Sequence, residues 1–129
     1  MIAYKLVRQL KDKSLAPLFI DKKLRLTFNK WHKAECHPTK GFAVRKGWHC
    51  TKIPNAPHLS NKGRVWLEVE IKDFEEFLRP ESQGGMWYLA NHMKPLRILN
   101  EDEVCKILKN SKEYLKVFDE ILKIKHLMN

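Results

Sequence analysis

The chain has 129 residues, 43% of them apolar, with four Trp, six Phe and three Tyr, which is one domain's worth of polypeptide with enough aromatic volume to close a single core. Its formal net charge is +10, and no run approaches the roughly 20 apolar residues that a membrane-spanning helix needs. The first ten residues carry neither an apolar core nor a small-residue cleavage site, so a cytoplasmic protein with no membrane partner is expected.

The charge is unevenly placed. Residues 1–64 hold 15 Lys/Arg against 3 Asp/Glu, a surplus of +12, whereas residues 101–129 hold six of each. A basic N-terminal half provides a positive field for a phosphate-bearing partner, a nucleotide or a nucleic acid. Cys36, Cys50 and Cys105 are odd in number, far apart and without C-x-x-C spacing, so free thiols are expected rather than a disulfide framework.

In chain order, residues 2–8 alternate as an N-terminal strand: Ile2, Tyr4, Leu6 and Arg8 share one face, and Ala3, Lys5 and Val7 the other. Residues 11–14 read as a turn. Residues 17–20 and 24–28 read as a hairpin around Asp21-Lys22-Lys23, and residues 29–35 as one helical turn capped by Asn29. A strand is expected through Trp48, His49, Cys50 and Thr51, ended by Pro54 and Pro57. After the turn at residues 60–63, residues 65–71 form the clearest strand, with Val65, Leu67, Val69 and Ile71 alternating with Trp66, Glu68 and Glu70.

Phe74 and Phe77 are spaced for a short helical turn stopped by Arg79-Pro80. Residues 82–85 form a loop, and residues 86–89 and 95–99 read as two strand pieces around an irregular Asn91-His92. Asn100 and Glu103 stand at capping-box spacing, with Glu101, Asp102 and Glu103 at the positive end of the helix dipole. The following helix carries Val104, Ile107 and Leu108 on one stripe, and Asn110-Ser111 marks a break before Leu115, Phe118, Ile121 and Leu122. The expected fold is a single α+β domain over residues 1–129: two small, mainly antiparallel sheets forming a cleft, a strand-rich basic part over 1–100, and one or two helices over 101–129.

The polar segment Arg45-Lys46-Gly47-Trp48-His49-Cys50-Thr51 puts ligand-capable side chains into a strand, which packing alone does not require. Zinc would need about four converging N/S ligands. His32 and Cys36 have a tolerable spacing, but His49 and Cys50 are adjacent and point to opposite faces of an extended strand, so no metal site is expected. His58, Asn61, Glu68 and Glu70 have no spacing that compels a hard-cation nuclease site. Ser82 lacks a strand-to-helix elbow, and Gly84-Gly85 is no phosphate-binding fingerprint.

The order of an early strand ending in Arg8, the Gly47-Trp48-His49-Cys50-Thr51 strand with Ala56 downstream, the 65–71 strand and then Glu81 resembles the ADP-ribosyltransferase-like fold over about the first 100 residues. The resemblance implies NAD or a related nucleotide as ligand, with Arg8 on the phosphate or ribose side, Trp48 and His49 on the nicotinamide side, and Glu81 as catalytic carboxylate. His49 and Glu81 would then carry the chemistry, and Arg8, Arg45, Trp48 and His58 would bind the ligand. Glu81-Ser82-Gln83 reverses the usual Gln/Glu-x-Glu order. The compact, lysine-rich character also resembles small phage-encoded accessory proteins, which implies a host protein as partner. The alternative class is a non-enzymatic module that binds nucleic acid through basic residues interleaved with Trp31, Phe42 and Trp48.

Overall fold

Strand β1 (Ile2–Gln9) uses its alternation as its composition requires. Ala3 and Val7 are fully buried on one face, and Leu6 is buried on the other. The computed structural model describes residues 1–18, 23–34, 47–56 and 58–111, Glu81 by its backbone alone. Both edges of β1 are occupied. One runs antiparallel to β5 (Arg64–Leu78) from Ile2↔Glu70 to Arg8↔Arg64. The other meets β2 (Leu15–Ala16) at Arg8↔Ala16 and β4 (Trp48–Thr51) at Tyr4↔Thr51.

Strand β6 (Met86–Leu99) pairs with β5 from Trp66↔Leu99 to Leu78↔Met86. Its other edge takes β4, from Trp48↔Ala90 to Thr51↔Trp87, and then β3 (His32–Lys33), at His32↔Met93. The pairings β1 to β5, β5 to β6, β6 to β4 and β4 to β1 therefore return to their start. The expected pair of sheets is corrected to one six-stranded antiparallel sheet among the described residues. The reason is strand length: β5 and β6 run for 15 and 14 residues, long enough to pair with each other and with β1, β3 and β4 between them, and β1 adds β2.

Each face of this sheet carries its own apolar cluster. Ala3, Val7, Cys50, Leu67, Val69, Ile71, Tyr88, Ala90 and Met93 pack on the inner face, and Leu6, Ala56, Trp66, Trp87 and Leu99 on the outer. The outer cluster is completed by Val104 and Ile107 of the C-terminal helix, α1, helical over residues 101–111. Cys50 and Cys105 are free thiols, and no helix among the described residues is long and apolar enough to cross a membrane.

Several local expectations change. The hairpin predicted around residues 21–23 falls partly on residues 19–22, outside the described residues; among the described ones, Leu26 forms a bridge to Leu15. Asn29 caps no helix; it sits at φ 60° in a turn, donating its backbone N–H to Pro95 O at 2.8 Å, and β3 follows where a helical turn was expected.

Residues 74–78 continue β5, because β6 offers a ladder of partners there, including Phe77↔Trp87. The three-residue spacing of Phe74 and Phe77, suited to one helix face, puts them on opposite faces of the strand: Phe74 packs with the inner cluster and Phe77 with the outer. β6 likewise runs unbroken through Asn91-His92. It tolerates Pro95, which has no N–H, by a shift of register at Glu68/Val69 on its partner strand, the kind of irregularity that accommodates proline in a sheet. Asn110 and Ser111, where a break was expected, are still helical, and the second helix expected beyond them lies outside the described residues.

The capping box forms as the sequence predicts. Glu103 N–H donates to Asn100 Oδ1 at 2.8 Å, and Asn100 N–H to Glu103 Oε1 at 3.2 Å. Arg97, held also by Glu68, bonds Glu103 and, with Asn100, holds its carboxyl below the usual range. A depressed carboxylate stabilises the fold above its unfolded value and loses that contribution as the pH falls through the folded value. Helix content followed by circular dichroism is therefore expected to fall on acidification, and less so in Glu103→Gln. Asn100→Ala is expected to cost about 1 kcal/mol in urea unfolding.

The β5–β6 connection supplies a second check. Gly84 has φ 99°, and a Cβ there would stand 2.6 Å from Asn55 O, whereas Gly63, at φ 67°, faces open space. Gly84→Ala is expected to destabilise by roughly 2–3 kcal/mol and Gly63→Ala by about 1 kcal/mol, measured by urea unfolding.

Candidate functional site

Alternation along β4 separates two side chains that the sequence had paired. Trp48 turns to the inner cluster, where its indole N–H donates to His32 O at 3.0 Å. His49 turns the other way, its ring edge-on to Phe77 at 5.9 Å between centroids. Neighbours on an extended strand cannot share a face, so one ring contact built from both is not what the fold provides.

His49 instead meets Arg79, which follows β5 and is drawn in where the chain turns toward β6. Arg79 N–H donates to Gly85 O at 2.7 Å, and Gln83 N–H to Pro80 O at 2.8 Å, closing the 3-10 turn Glu81–Gln83. The Arg79 guanidinium stands over Trp87 at 4.6 Å and over Phe77 at 5.2 Å, with its Nη2 3.4 Å from His49 Nδ1. The Trp87 indole is fixed in turn by donating to Gln83 O at 2.7 Å. His58 lies on the same indole, centroids 5.9 Å apart. The result is a corner of one guanidinium, two imidazoles and two aromatic faces, on the outer face of the sheet beside Ala56 and Leu59.

The other nominated residues have separate placements. Arg8 stands opposite Ala16 and Arg64, and its Nε donates to Pro17 O at 2.9 Å. Arg45 lies outside the described residues. Glu81 opens the 3-10 turn two residues after Arg79, so its backbone belongs to the corner. Glu68 and Glu70 are engaged by Arg97 and Lys94 rather than by His58 or Asn61, and no three His, Cys, Asp or Glu converge on a common point among the described residues.

Burial comes first, and the Arg79 charge second, in lowering the His58 pKa. Arg79 and Trp87 were not legible as site residues, since Arg79 reads as the stop of a helical turn before Pro80 and Trp87 as one aromatic in an apolar piece. The available signal was the strand alternation that puts residues 77 and 79 on one face, which a helical reading of residues 74–78 conceals. Comparison of the chain with protein-family models, with curated proteins and with solved structures finds no match.

A lowered imidazole pKa disfavours the protonated ring in the folded protein, so the stability linked to His58 falls as the pH drops below its ordinary value near 6.5. NMR titration of the His58 ring is expected to give a midpoint below that value in the native protein. In Arg79→Met the midpoint moves up only part of the way, because burial remains.

Proposed function

We propose that the chain binds a phosphate-bearing nucleotide, of the NAD or ADP-ribose kind, at the Arg79, His49 and His58 corner. The observation that carries this reading is the Arg79 guanidinium over the Trp87 and Phe77 rings with His49 Nδ1 at 3.4 Å. The N–H donors of a guanidinium lie in its plane with the geometry for a phosphate or carboxylate. Side chains ordered before the ligand arrives lower the entropy cost of binding. The half-buried Phe77 ring offers apolar surface for a base or a nicotinamide, the part first assigned to Trp48. Arg79 takes the phosphate role first assigned to Arg8.

The reading is also supported by the position of Glu81, whose turn starts two residues beyond Arg79. In a glycosyl transfer a carboxylate stabilises the positive charge that develops on the ribose as the glycosidic bond breaks. Transfer from NAD thus stands as a proposal within the binding proposal, assayed by nicotinamide release and its loss in Glu81→Gln.

Isothermal titration with NAD, ADP-ribose and AMP tests the binding. At least one is expected to bind. Arg79→Lys, which keeps the charge but loses the planar fork, is expected to weaken that binding about tenfold, and Arg79→Ala more. Affinity is expected to rise as the pH falls from 8 towards 6, because a bound anion favours protonated His58. No binding by any of the three removes the reading. Binding to single-stranded oligonucleotides with a steep salt dependence and no response to Arg79→Ala would favour the nucleic-acid module, supported by the +12 surplus over residues 1–64.

A further inference from the structure

Lys5 is out of place on its strand. It lies on the face of β1 between Ala3 and Val7, both fully buried, and opposite the fully buried Leu67. The residue as a whole is half-buried, but its amino group is enclosed by protein. Nζ donates to His49 O at 2.8 Å and stands 5.7 Å from the centre of the Trp48 ring.

No carboxylate pairs with Lys5 among the described residues, whereas Lys94 is matched by Glu70 and Arg97 by Glu68 and Glu103. One carbonyl and one ring at that distance return less than the full hydration an ammonium gives up on enclosure. The neutral amine is the form that such a place favours, and burial accordingly lowers the Lys5 pKa. The neighbouring Cys50 thiol is fully buried and pushed up to about 11 by that burial, so at neutral pH it supplies no negative charge to hold the ammonium.

We propose that Lys5 is a carbonyl-reactive amine, a site on the inner face of the sheet at which a small aldehyde is captured as an imine. The site is independent of the Arg79 corner, which lies on the outer face. In the step, the nitrogen lone pair adds to the carbonyl carbon. The carbonyl oxygen then gains protons and leaves as water, and a C=N bond replaces the C=O bond with no change of oxidation state. The apolar Trp48 ring beside Nζ favours a small uncharged aldehyde over an anionic one.

The full chain is incubated with acetaldehyde, imines are reduced with cyanoborohydride, and the adducts are mapped by peptide mass spectrometry. The expected result at pH 7 is a more abundant adduct at Lys5 than at the exposed Lys62 and Lys106, because a lowered amine is unprotonated in a larger share of molecules. The excess is expected to narrow as the pH approaches 10 and to vanish in urea. Parity at pH 7, a deficit at Lys5, or an excess that survives in urea overturns the proposal.

Discussion

The structure depends on β1 being paired along both edges. One edge carries the long ladder to β5, and the other is joined to β4 by the Tyr4↔Thr51 bridge, where Thr51 also donates its hydroxyl to Tyr4 O at 3.3 Å. Lys5 extends that second junction by reaching His49 O. Unpaired strand edges expose donors and acceptors that either remain in water or recruit another chain. Returning the pairings to their start removes much of that edge and encloses the inner cluster of Val7, Leu67, Val69, Ile71 and Met93.

Closure has a consequence for the outer face as well. Once β4 is tied to both β1 and β6, the alternation of each strand decides which residues can meet across the sheet. His49 of β4, Phe77 of β5 and Trp87 of β6 all turn outward, and the sharp return between β5 and β6 brings Arg79 in beside them. The corner is therefore a product of register, with strands paired one residue out of step sending these rings to the other face. The absence of a side chain at Gly84 lets the return pass close to Asn55 O, three residues before His58.

Local pattern was informative wherever local chemistry is sufficient. The strict alternation of residues 65–71 marks a strand whatever its neighbours, since only one face can be wetted by Glu68 and Glu70. The Asn100 and Glu103 pair finds its hydrogen bonds within four residues, so the start of α1 could be read directly. The Phe74 and Phe77 spacing was misleading for the converse reason. Five residues fit a helical turn and a strand equally well, and the partner strand 8 to 16 positions away makes the choice. Asn29 shows the same dependence, because its backbone N–H is taken by the distant Pro95.

The amino-acid sequence by itself determined the mixed strand and helix composition, the apolar faces of β1 and β5, the N-terminus of α1 and the place of His49 as a polar group in a strand. Each of these follows from hydrogen bonds or side-chain periodicity within a few residues. Only the tertiary structure decided that the strands make one sheet rather than two, that Trp48 and His49 part company, that Arg79 replaces Arg8 beside His49, and that Lys5 turns inward without a carboxylate. Those outcomes depend on pairing register between segments far apart in the chain, and register is settled by the joint burial of all the strands rather than by the residues of any one.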